Sequence, residues 1–105
     1  MVVVDDLALP LNKIRIRPGG SDAGHNGLRD IQAVLNTTEY PKLRFGIGND
    51  FPKGRQVDFV LGKWQSGEEP MVKLKIEKSV EAIESFSTIG IAATMTLFNK
   101  QEFSL

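Results

Sequence analysis

The chain has 105 residues, sets 13 Lys and Arg against 13 Asp and Glu, and is 41% hydrophobic and 25% charged. That length and balance suit one small soluble domain over residues 1–105, and exclude a disordered segment or a polyanion binder that works by bulk charge. With no cysteine there is neither disulfide nor thiolate metal site; no apolar run is long enough to span a bilayer and "MVVVDDLALP" lacks the basic start of a signal peptide, so the cytoplasm is the expected location.

In chain order, "VVVD" is an unbroken β-branched run that predicts a central strand covered on both faces, ending at Asp5 and Asp6. Pro10 discourages a helix in "LALPLN". "KIRIR" then alternates Lys13, Arg15 and Arg17 with Ile14 and Ile16, a half-buried strand with a basic outer face, stopped by Pro18, Gly19 and Gly20. From Asn26, residues Leu28, Ile31, Val34 and Leu35 follow helical spacing, with Asn26 as the expected N-cap and Asn36 as the stop.

"KLRFGIG" places Leu43, Phe45 and Ile47 on one face of a second amphipathic strand and Lys42 and Arg44 on the outer one. "NDFPKGR" is turn chemistry, and "VDFVLG" is expected to send Phe59 and Leu61 into the core. The stretch from Ser66 to Phe86 carries Val72, Ile76, Val80 and Ile83 at helical intervals, beginning either at a Ser66–Glu69 capping box or with Pro70 as first helical residue. "TIGIAATMTLF" predicts a last helix despite Gly90.

Several groups could carry chemistry. The glycine-rich approach to Asn26 offers free helix-start N–H groups to an anion, but it fits neither the P-loop nor the dinucleotide fingerprint, so on local physics a tight turn and a capped helix are the favoured account. His25, the chain's one histidine, could be a base, a ligand or a positioning group, and scattered acids give it no metal shell. Asp5 or Asp6, where a strand ends, could orient a histidine or polarise a water; a solvated turn is the alternative. Lys13, Arg15, Arg17 and Arg44, with Arg29 nearby, could form a phosphate-binding strip or simply solvated faces.

Taken together, "VVVDDLALP", "KIRIRPGGSDAGHNGLRDI", "YPKLRFGIG" and "VDFVLGKW", in this order and spacing, closely resemble the bacterial peptidyl-tRNA hydrolase family. The resemblance implies an α/β fold with a mixed sheet between helices, a monomer, and hydrolysis of the ester joining peptide to tRNA without metal or cofactor. It implies that Asp5 hydrogen-bonds a water-activating histidine, that His25 and Asn26 hold substrate or water, and that Arg15, Arg17 and Arg44 contact tRNA phosphates. The family's opening glycine- and asparagine-rich segment, its catalytic histidine and its asparagine in a Met-Asn context have no match here, so the resemblance covers the C-terminal half.

The expectation is therefore a partial mixed β-sheet with packed helices, a truncated version of that fold, with Asp5 serving a base from outside the segment and His25 not promoted to that role. Whether the chain alone is an enzyme stays open. The alternatives are a non-catalytic fragment that binds tRNA or a partner protein, or an inactive structural fragment. Val2, Val3 and Val4 would then lack neighbouring strands, and the isolated chain is expected either to self-associate or to be marginally folded.

Overall fold

The computed structural model describes residues 1–48, 64 and 67–105. Among these residues three strands and three helices follow in the order β1 (Val2–Asp6), β2 (Ile14–Arg17), α1 (Asn26–Leu35), β3 (Lys42–Gly46), α2 (Glu69–Ile89) and α3 (Ile91–Phe98). The sheet is mixed, ordered β1-β3-β2, with β1 parallel and β2 antiparallel to β3. Val4, Arg44 and Arg15 stand in one row across it and Val3, Leu43 and Ile16 in the next. Because side chains alternate along a strand, one face is apolar and the other basic.

The apolar face makes the core. Ile14, Ile16 and Leu43 are buried with Ala82 of α2, Phe98 of α3 and Phe103 beyond it, and Phe45, Met71, Leu74, Ile91 and Met95 pack around them. Each fully buried aliphatic side chain contributes about 1.5–3 kcal/mol, so these rows fix which face the helices cover. Gly90, at φ 86°, ends α2 and opens α3; its N–H donates to Phe86 O and its carbonyl accepts from Thr94 N, so the chain turns without breaking its hydrogen bonding.

At the end of β3 the chain is crowded by backbone. Gly46 N donates to Lys13 O, Ile47 N to Asp6 O and Gly48 N to Leu9 O, drawing the 7–13 connection onto the strand. A Cβ on Gly46 would drive into the Pro10 carbonyl oxygen, which is why glycine stands there. The Lys75 ammonium reaches the same place from α2, donating to Gly46 O and lying 3.8 Å over the Phe45 ring.

Four expectations are corrected. β1, read as central, lies at an edge: among the described residues only β3 pairs with it, and Val3 is half exposed. Lys42, read as outward, is buried, because loop carbonyls of Gly20, Thr38 and Tyr40 close over its Nζ and the Tyr40 ring lies 3.8 Å away. In α2 the inward residues are Val72, Lys75, Ser79 and Ala82, while Ile76, Val80 and Ile83 face out, since small Ser79 and Ala82 set the close side. In α1 only Leu28 is buried, and Val34 is 85% exposed. Pro70 is the second residue of α2; Ser66, Phe59 and Leu61 lie outside the described residues.

Candidate functional site

The site forms where β1 ends and the Gly19–Gly24 loop enters α1. Asp6 is used locally: its Oδ1 accepts from Ala8 N at 2.8 Å, closing the turn after β1, and its Oδ2 stands 3.8 Å from the Arg44 guanidinium. Asp5, one residue earlier, is left to face the loop. Its Oδ1 lies 2.8 Å from Nε2 of His25.

Asp22 shapes the loop that delivers His25. Its carbonyl accepts from His25 N at 2.9 Å, and Ala23 and Gly24 between them both have positive φ, at 50° and 81°. Its carboxylate accepts from Gly24 N and from Gln32 Nε2 of α1, tying the turn to the helix. Sequence reading misses Asp22; an aspartate two residues before a glycine is the available signal.

His25 is the N-cap of α1, in place of the expected Asn26. Its Nδ1 accepts from Leu28 N at 3.1 Å, and its backbone is extended while Asn26 is already helical. Nδ1 must therefore present its lone pair, which puts the ring proton on Nε2, donated to Asp5. Both ring nitrogens are engaged, and neither is left to take a proton from water. Asn26, relieved of capping, is exposed at the rim.

The basic residues divide into held and exposed. Arg44 Nη2 donates to Ser21 O at 3.1 Å, so this guanidinium secures the loop while flanking Asp6. Arg15 and Arg17 are exposed, with Arg17 Nη1 bonded to Ile16 O. Lys42 is a structural anchor under the loop; burial first, and then the neighbouring Arg44 charge, lower its pKa.

These groups surround one open cleft of about 810 Å³. Asp5, His25, Asn26, Arg15, Arg17 and Arg44 all line it, so the residues to which the resemblance gives roles come together; Lys13 and Arg29, the other basic residues considered for the strip, do not line it. Among the described residues no group of three or more His, Asp or Glu side chains could hold a metal ion, and no helix is long and apolar enough to cross a membrane.

The family model described as peptidyl-tRNA hydrolase matches residues 1–104. The peptidyl-tRNA hydrolase of Parabacteroides distasonis is 52% identical over 101 residues, 96% of this chain and 54% of that protein. That of Porphyromonas gingivalis is 50% identical over 99 residues, 94% of this chain and 54% of its own. A crystal structure of peptidyl-tRNA hydrolase from Acinetobacter baumannii superposes with a TM-score of 0.84 at 30% identity, covering 95% of this chain and 50% of that one. A complex of peptidyl-tRNA hydrolase with N-propanol gives 0.85 at 29%, covering 97% and 52%. The chain spans about half the length of the curated relatives it matches.

Proposed function

The chain belongs to the peptidyl-tRNA hydrolase family, and from that premise we propose that its cleft binds peptidyl-tRNA and takes part in hydrolysing the ester between peptide and tRNA. The observation that carries this reading is the Asp5–His25 pair, 2.8 Å apart, on the wall of a cleft that Arg15, Arg17 and Arg44 also line. In the reaction a water adds to the ester carbonyl carbon, the bond to the ribose oxygen breaks, and the water's proton passes through a base to that oxygen.

Asp5 is the orienting group: Oδ1 takes His25, and its second carboxylate oxygen is the one that can accept from a base or from water. His25 is not that base, because Nε2 is spent on Asp5 and Nδ1 on Leu28 N. We assign the base to a group outside the described residues. Asn26, with both an amide donor and a carbonyl acceptor at the rim, positions the peptide part or the water. Arg15 and Arg17, exposed in the cleft, take tRNA phosphates, with Arg44 as the held third member of the strip.

The same occupancy of His25 favours a second reading, in which the 105-residue chain binds tRNA, or a partner protein, without cleaving it. Purified chain titrated with tRNA across a salt series, beside a turnover assay on peptidyl-tRNA, separates the two. Binding that strengthens as salt is lowered, with Arg15→Ala or Arg17→Ala each flattening the log–log slope by about 0.7–0.9, is expected from either. Turnover at the rate of full-length relatives, abolished by His25→Ala, would overturn the assignment of the base. Absence of salt-sensitive binding would sink both readings. The edge of β1 that no strand among the described residues covers, together with exposed Val3, further supports self-association of the isolated chain, which light scattering tests.

A further inference from the structure

Gly27 is the second residue of α1 and its φ is not positive, so nothing in its own backbone calls for glycine. Glycine inside a helix weakens it; alanine there is worth about two- to fivefold in the folding constant. The reason for accepting that cost lies in the neighbour. A Cβ on Gly27 would stand 2.9 Å from Cε1 and 3.3 Å from Nδ1 of His25.

An exposed side chain could swing away from such a contact, but this ring is held at both ends. Nδ1 is tied to Leu28 N at 3.1 Å and Nε2 to Asp5 Oδ1 at 2.8 Å, so any shift away from a Cβ at position 27 loosens at least one of these bonds. We propose that Gly27 is a positioning residue: the absence of its side chain lets the imidazole fold back over the first turn of α1, cap the helix through Nδ1, and hold the Asp5 carboxylate through Nε2–H. The proposal rests on the reading of Asp5 and His25 as a working pair, and extends it to the residue that makes their geometry possible.

The test is a cycle on the full chain, comparing Gly27→Ala, His25→Asn and the double variant by denaturant unfolding. Asparagine keeps a capping oxygen but removes the ring. In the His25→Asn background, Gly27→Ala is expected to raise the folding constant about two- to fivefold; with His25 present that gain is absent or reversed. An equal gain in both backgrounds overturns the proposal.

A second readout is the Nε2–H proton of ring-labelled His25 by NMR, assigned by its loss in Asp5→Asn. It is expected to disappear in Gly27→Ala while helical circular dichroism is kept; an unchanged resonance overturns the proposal. Should Gly27→Ala fail to fold, the double variant decides. Recovery of folding supports the steric link to His25, and continued failure shows that Gly27 is needed for some other reason. No tRNA enters these measurements, so their outcome and that of the hydrolase reading are separate.

Discussion

The two edges of the sheet are finished in different ways. Along β2 the side chain of Asn99, just past α3, stands in for a neighbouring strand: its Oδ1 accepts from Ile16 N at 2.7 Å and its Nδ2 donates to Ile16 O at 2.9 Å. Phe103 N continues the closure by donating to Asn12 O. Along β1 the described residues supply no such partner, and Val3 is 48% exposed. Both strands are rich in β-branched residues. What separates them is whether the chain returns with a group that matches one residue's donor and acceptor, which a single primary amide can do.

The strongest way to break the comparison is to remove the strand that joins the two edges. Gly46 ends β3 with its backbone bonded to the 7–13 connection and its carbonyl bonded to Lys75. Gly46→Ala forces a methyl into the Pro10 carbonyl, and is expected to cost about 3 kcal/mol or more. Denaturant unfolding should show both edges lost in one step. A cost under about 1 kcal/mol would mean that the Pro10 turn yields freely.

Lys75 pins the same point from the helical side, and its effect depends on pH. Burial pushes its ammonium from 10.5 down to about 8. The unfolded chain therefore holds this proton up to about pH 10.5 while the folded chain releases it near pH 8, so stability rises with pH through that window. The full rise is roughly 3 kcal/mol. Lys75→Met should remove most of it, leaving a smaller rise from Lys42, whose pKa is lowered in the same direction. Unfolding midpoints from about pH 7 to 10.5 check this; identical profiles for the two chains would refute it.

Opening the finished edge is the next step down. Asn99→Ala leaves Ile16 N and O without their partners, at an expected cost of about 2 kcal/mol. Asn99→Asp keeps the acceptor for Ile16 N but sets a carboxylate oxygen against Ile16 O, and should cost at least as much. If the amide is what closes the edge, light scattering should also show the Ala variant associating at lower concentration than the parent chain. Equal association would confine its role to stability.

How far the sequence could be read follows from the same contrast. Ile14 and Ile16 alternating with Arg15 and Arg17 fix the two faces of β2, because a one-residue slip would bury both arginines. Asn36 at φ 55° stops α1 as its residue type suggests, whereas Gly90 at φ 86°, which the apolar run places inside the last helix, divides Thr88 and Ile89 of α2 from α3. Lys42 escapes such a reading because alternation reports only which side a residue faces, and three loop carbonyls come to cover that side. In α2 the stripe Val72, Ile76, Val80 and Ile83 identifies an apolar surface without saying that it is covered, and the covered side is the neighbouring one with Lys75, Ser79 and Ala82. At the site, an aspartate at the end of β1 orienting a histidine is a legible possibility; His25 as its own helix cap is not, since imidazole lies outside the usual capping set. Asn99 is 83 residues from Ile16, beyond the reach of any local pattern.

The smallest expected change in stability comes from the open edge, where it is also the most informative. Val3 is half exposed on β1, so replacing it with lysine removes little packing, and the folding free energy should move by no more than about 0.5 kcal/mol. A charge at a strand edge that no described residue covers nevertheless opposes pairing with another copy, because the partner's edge must approach within hydrogen-bonding distance and strip water from the ammonium. Val3→Lys should therefore shift the light-scattering profile toward monomer with little change in unfolding midpoint, the reverse of Asn99→Ala. If Val3→Lys leaves association untouched while Ile76→Lys on the outer face of α2 abolishes it, the copies meet through the helical surface, and the open strand is not what draws them together.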